Sequence, residues 1–301
     1  MLAFDVGGST IKSCIVRAGN EVIGLQRTAT PRDPADPGGA VVGAVAELTA
    51  GYHAAHPTWQ FAGAGLIVPG LVDERAGIGV LSTNLGWRNY PFAARATAEL
   101  GMPVAFGHDV GAAGEAEFRF GAARTSENAL VLINGTGIAA AVFCDGMRVV
   151  GAGYAGELGH APVPDPDDPT RTVILEAVGS AGGIRARYAA RTGRFVAGAR
   201  EVLRLAESGD DVAARLWREA VDALALSIAS CVALLGSDTV VIGGGLAQAG
   251  ESLLGPLRSG VDLRLSLPRR PRIVPALLGE SAGLLGAALK VRQASPASRI
   301  D

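Results

Sequence analysis

The chain has 301 residues, 49% hydrophobic and 19% charged, with a formal net charge of −2 at neutral pH. This is ample material for buried cores and argues against disorder, and the length exceeds what one core usually organises, so two domains are expected. The near-neutral balance gives no electrostatic reason to expect nucleic acid or an anionic membrane as partner.

Residues 2–6 read as the first strand, which runs into "GGST". A β-branched strand at 11–17 and a third apolar segment at 21–27 complete a meander. "TPRDPADPGG" (30–39) reads as a turn-rich loop, and 41–53 as a helix. "AGAGLIVPG" (62–70) is a buried strand that stops at Pro69-Gly70. A helix at 92–100 and a short strand at 104–106 lead into "FGHDVGAAGEAEF", which opens a helix at 112–120. "ENALVLINGTGIAAAVF" (127–143) repeats the opening pattern of two apolar strands around a glycine turn, a weak duplication of architecture. A Pro/Asp loop (162–170) and helices near 172–190 and 196–207 follow. Residues 211–235 form a long helix whose apolar positions recur at steps of three and four. "TVVIGGGLAQAG" (239–250) is a strand, a glycine turn and a helix start. "PRIVPA" (271–276) is a last strand and "GESAGLLGAALKV" a closing helix. Strands alternate with helices, so the class is α/β.

No apolar run reaches membrane-spanning length, and "MLAFDVGG" lacks a basic region followed by an apolar stretch. Cys14, Cys144 and Cys231 are few and scattered, as reduced thiols are. A cytoplasmic protein is expected. Lysine occurs only at Lys12 and Lys290, while arginine is abundant, which we read as a coding bias.

Three glycine turns follow strands: "DVGGST", "NGTG" and "IGGGLA". Glycine lets backbone N–H groups approach an anion, and Ser9, Thr10 and Thr136 add hydroxyl donors. Asp5, at a strand end, could hold Mg²⁺ through water beside phosphates. Each turn alone is equally a tight hairpin. None is a Walker A motif, and "DVGGST" leads into a strand, unlike a dinucleotide fingerprint. Asp109 allows two readings, a helix cap or a base for a substrate proton. Glu157 and His160 stand three apart in "GYAGELGH", where nothing local requires them, and Glu176 could be a solvated helix residue. The spacing is not HExxH, so a zincin site is unsupported.

In order along the chain stand "DVGGSTIK", "GLIVPGLVD", "NLGW", "HDVGAAGEAE", "INGTGI", "GYAGELGH", "LEAVGSAGGI", "VVIGGGLAQAG" and "ESAGLLGAAL". This series resembles the ROK family of repressors, uncharacterised reading frames and sugar kinases, nearly end to end. The resemblance implies an actin-like ATPase (ribonuclease H-like) fold with two domains around a central cleft, 1–108 plus 287–301 and 109–286. It implies an ATP-dependent hexose 6-kinase using Mg²⁺, with Asp109 taking the proton of the sugar's 6-hydroxyl. It assigns Glu157, His160 and Glu176 to the ring hydroxyls, with Asn84 and His108 in the sugar pocket. It gives the phosphates to Asp5, Gly7, Gly8, Ser9, Thr10 and Lys12, to Gly135, Thr136 and Gly137, and to Gly243, Gly244 and Gly245. A homodimer is a family expectation.

Two departures stand out. Where many members carry a cysteine-rich zinc motif, this chain has "APVPDPDDPTRTVILEA", without cysteine, so no structural zinc is expected. The residue before the family's acid is usually Asn and is here His108, and a second usual Asn is Gly111. Either His108 is drift within glucose kinases, or it marks a sugar altered near carbon 3, such as kanosamine. N-acetylmannosamine is another amino-sugar candidate. Polyphosphate as donor stays open. A repressor would need a winged helix-turn-helix before the first hairpin, and the chain starts at the first strand. A non-catalytic sugar-binding protein is the remaining rival.

Overall fold

The computed structural model describes residues 1–294. Of the segment 287–301 expected in the small domain, residues 295–301 lie outside the described ones. The chain divides into two compact units: Met1–Ala116 with Gly151–Tyr154 and the segment from Glu280, and Glu117–Val150 with Ala155–Gly279.

In the first unit, β1 (Leu2–Val6), β2 (Thr10–Val16) and β3 (Val22–Ala29) form the expected meander. Helix α1 (Pro37–Ala55) starts inside the segment read as loop, because Asp36 caps the Gly39 N–H at 2.9 Å and Pro37 suits the first helical position. β4 (Ala64–Val68) follows, then a small antiparallel sheet that sequence patterning did not reveal: β5 (Leu71–Asp73), β6 (Ile78–Leu81) and β7 (Arg88–Tyr90). Helix α2 (Phe92–Leu100), β8 (Val104–His108) and α3 (Asp109–Phe120) come next. The main sheet has the order β3-β2-β1-β4-β8, with β1, β4 and β8 parallel. Parallel strands so placed bring the carboxyl ends of β1 and β8 to one edge, one strand apart. The core combines Leu2, Phe4, Val6 and Ile15 with Val41, Val45 and Tyr52 of α1 and with Phe92 and Phe106. Burying each such side chain contributes roughly 2 kcal/mol.

The second unit repeats the plan. β9 (Ala129–Asn134) and β10 (Ile138–Cys144) are the hairpin around "GTG", and β11 (Met147–Val149) extends it. The segment read as a Pro/Asp loop running into a helix near 172 is instead a hairpin of β12 (Pro162–Asp165) and β13 (Asp168–Ile174). Asp165 and Asp168 turn it by accepting the Asp167 and Thr170 N–H groups. Then come α4 (Leu175–Gly179), α5 (Ala181–Thr192), α6 (Ala199–Glu207) and α7 (Asp211–Leu235), whose apolar face buries Leu216, Ala220, Leu224 and Ile228. β14 (Thr239–Gly243), α8 (Glu251–Arg264) and β15 (Arg272–Pro275) close the unit. Its sheet order, β11-β10-β9-β14-β15, matches the first sheet strand for strand, including the switch from antiparallel to parallel pairing. The duplication read from the two glycine hairpins is therefore architectural. The chain returns to the first unit with α9 (Ala282–Ala294), packed on β1, β4 and β8. Among the described residues no helix is long and apolar enough to cross a membrane.

Candidate functional site

The sequence-selected residues fall into two groups, each held within one unit. In the first, Asp5 is the penultimate residue of β1, with its Oδ2 4.0 Å from Lys12 Nζ across the hairpin. Gly7, Gly8 and Ser9 make the turn, closed by the Gly7 N–H on the Thr10 carbonyl at 2.9 Å. A latch that sequence reading missed grips this turn. Thr30 donates its hydroxyl to the Gly7 carbonyl at 2.7 Å, and Arg32 donates to the Gly8 carbonyl at 2.7 Å and to the Asn84 carbonyl. Asn84 thereby joins the hairpin, and its amide lies so close to Gly8 that an added Cβ would stand 2.2 Å from Nδ2. Trp87, 2% exposed and edge-on to Phe92, anchors the loop that carries Asn84. No local signal distinguishes Arg32 from the other exposed arginines.

At the far end of the same parallel edge stands the β8–α3 junction. The expectation that Asp109 caps the helix is corrected: Asp109 is already the first helical residue, and its Oδ1 accepts the adjacent Val110 N–H at 2.7 Å. The cap is His108, the last residue of β8, whose Nδ1 accepts the Gly111 N–H at 3.3 Å. His108 Nε2 lies 3.1 Å from Asp109 Oδ1. With Nδ1 accepting, the neutral imidazole carries its proton on Nε2 and donates it to Asp109. Burial pushes the Asp109 carboxyl up to about 7, partly opposed by backbone hydrogen bonds. Burial likewise lifts Asp5 to about 6, the charge of Asp109 adds to the rise, and Lys12 opposes it. The two carboxylates thus feel one another.

In the second unit Glu176 is no solvated helix residue. Its Oε2 accepts the Ile138 N–H at 2.9 Å, beneath the 135–137 turn. An added Cβ at Gly137 would stand 2.4 Å from that oxygen and would displace the Glu176 carboxylate. Gly135 accepts the Ala181 N–H at 3.0 Å, and Asn134 ties the turn to α4 through the Gly179 carbonyl at 2.9 Å. Thr136 is exposed at the tip. β14 runs parallel to β9 and ends with Gly243 paired to Ile133, so Gly244 and Gly245 leave the sheet beside Asn134, with Gly244 at φ +82°. Gly159, next to His160, also approaches Glu176 Oε2. Glu157 precedes a single helical turn, Leu158–His160, on which the His160 residue is exposed. Among the described residues, no cluster of three or more His, Cys, Asp or Glu is arranged to hold a metal ion.

Two sheets of one connectivity, each with a glycine hairpin between its first two strands, make the actin-like ATPase fold. The ROK hexokinase from Thermus thermophilus superposes with a TM-score of 0.83 at 29% identity, covering 97% of this chain and 98% of that one. Residues 1–294 match the ROK family. The chain belongs to the ROK family. The bifunctional enzyme NanE/NanK of Brucella melitensis biotype 1 is 34% identical over 292 residues, 96% of this chain, which spans 53% of that relative's length. The glucokinase of Halalkalibacterium halodurans is 29% identical over 315 residues, covering 96% of this chain and 94% of the relative.

Proposed function

We propose that this protein is a sugar kinase that moves the γ-phosphoryl group of ATP to the 6-hydroxyl of glucose or a glucose-like hexose, with Asp109 as general base. One observation carries the reading. Asp109 shares a parallel-sheet edge with Asp5 and the glycine hairpin, and burial raises its carboxyl to about 7, so it can accept a proton near neutrality. The hydroxyl oxygen bonds to the γ-phosphorus, its proton passes to Asp109, and the bond to the β-phosphate oxygen breaks to release ADP.

Magnesium-bound ATP, when present, supplies the phosphoryl group and neutralises charge developing on its oxygens. In the first unit Asp5 would offer a carboxylate oxygen, and Gly8 and Ser9 backbone N–H groups; in the second, Thr136, Gly137 and the 243–245 turn would offer backbone N–H groups. Asn84 in the first unit, and Glu157, His160 and Glu176 in the second, are the residues this reading gives to the sugar. Glu176 spends Oε2 on the Ile138 N–H and keeps Oε1 for a ring hydroxyl.

His108 is engaged with Gly111 and Asp109, which favours glucose over a sugar altered near carbon 3. The test is ADP release against glucose, mannose, glucosamine, kanosamine, N-acetylglucosamine and N-acetylmannosamine, with polyphosphate replacing ATP in a parallel arm. Glucose should lead in kcat/KM with ATP. No turnover on any sugar with either donor overturns the reading in favour of a binding protein. We expect a homodimer, which light scattering checks.

A further inference from the structure

Only two lysines occur in the chain, and one of them, Lys290, is buried in the closing helix α9. Its Nζ lies 2.9 Å from Glu74 Oε2, with the side chains 8% and 16% exposed. The other carboxylate oxygen, Glu74 Oε1, accepts the backbone N–H of His108 at 3.0 Å. The lysine stem crosses Gly107, where an added Cβ would stand 2.2 Å from Cε. Lys290, Glu74 and the β8 end are therefore one connected group within the first unit. They tie α9, the turn after β5 and the residue that caps α3.

A buried ion pair adds little net stability, since desolvation offsets most of the attraction, and an apolar pair of similar volume often serves as well. What such a pair supplies is direction. The Glu74 carboxylate is fixed at one oxygen by Lys290 and with the other fixes the peptide plane at His108. From that plane follow the His108 ring, its bond to Gly111 and its bond to Asp109. A productive base must stand within a few tenths of an ångström of the substrate proton's donor, and such precision comes from the groups behind it.

We propose that Glu74 and Lys290 form a positioning clamp on the β8–α3 junction, which sets where the Asp109 carboxylate points. The clamp's effect on turnover rests on the kinase reading above, while its effect on the junction does not. Neither residue touches substrate in this scheme.

The variant Glu74→Leu/Lys290→Met removes both charges and keeps the slot filled. It is expected to unfold within about 5 °C of the wild type, consistent with a pair of small net worth. Its kcat should fall at least tenfold, with KM for sugar and ATP within threefold. Amide hydrogen exchange should quicken in the peptide spanning 104–113 and stay unchanged in α7. Glu74→Gln/Lys290→Met keeps an oxygen for the His108 N–H without stranding the lysine charge and should retain most of kcat. A folded double variant with wild-type kcat and wild-type protection of 104–113 overturns the clamp. Should the double variant not fold, exchange in the wild type decides: a His108 N–H that exchanges as fast as an exposed loop amide also overturns it. A wild type that phosphorylates no sugar refutes the kinase reading alone. The protection of 104–113 in the double variant then still tests the clamp.

Discussion

His108 caps the helix that Asp109 begins, and the same imidazole reaches back to the Asp109 carboxylate at 3.1 Å. One side chain thus fixes both the start of α3 and the orientation of its first acid. His108→Asn preserves a capping side chain, while His108→Ala removes it, at a cost of about 1 kcal/mol. We expect the alanine variant to lose roughly tenfold in kcat and the asparagine variant only a few-fold. In both, the ratio of kcat/KM for glucose to that for kanosamine should move less than threefold. A tenfold change in that ratio would show that His108 reads the sugar.

Asp109→Asn is expected to lower kcat at least a thousandfold while leaving the sugar KM within a few-fold. The same change should stabilise the fold above neutrality. Burial holds the Asp109 carboxyl up at about 7 against its ordinary 3.8, so the folded state binds this proton more tightly than the unfolded chain. The stability tied to that proton is fully present below about 3.8 and is lost as pH rises through 7. The Asn variant never loses it. Its advantage should grow from pH about 4 to about 7 and then level off. Partial solvent screening of the side chain keeps the gain to about 1–2 kcal/mol. Thermal unfolding of both proteins at pH 5 and pH 8 checks this, and equal midpoints at pH 8 would contradict it.

The activity profile follows from the same group. A base works deprotonated, so kcat/KM should climb as pH rises toward about 7 and flatten above it. Asp5, lifted to about 6 and raised in part by the charge of Asp109, should steepen the fall below pH 6. A profile flat from pH 5.5 to 8 would exclude Asp109 as the base.

Glu219, only 15% exposed, draws three guanidiniums together: Arg187 at 2.6 Å, Arg215 at 2.7 Å and Arg191 at 3.4 Å. Arg191 also pairs with Asp167 at the tip of the β12–β13 hairpin, which holds that hairpin to α5. Glu219→Gln leaves three converging cations with less compensation. We expect a loss of about 2 kcal/mol, partly recovered in 0.5 M NaCl. A variant as stable as the wild type in low salt would show that the network is ornamental.

Much of the first sheet is legible in the sequence because its strands are apolar and bounded by glycine or proline, and α7 is legible because its face recurs over 25 residues. Short or exposed strands leave no such trace. β5 and β7 have three residues each, and most of β13 faces solvent, so none of the three offers an alternation to read. The cap on α3 misleads for another reason: Asp is the better cap by local preference, but β8 stays extended through His108 and hands the position to it. Glu74 and Lys290 meet across 216 positions, and neither carries a local cue. Locally Glu176 can equally be read as a solvated helix residue, because a five-residue helix shows no periodicity.

The placement of α9 also governs how the chain is made. β1, β4 and β8 are synthesised before the second unit, and α9, the helix that covers them, after it. Every residue of the second unit precedes Ala282, so that unit can complete its core while the first still shows an uncovered apolar face. During that interval nascent chains carry a hydrophobic sheet surface that a chaperone can shield, and Lys290 reaches Glu74 only as the face is finally closed.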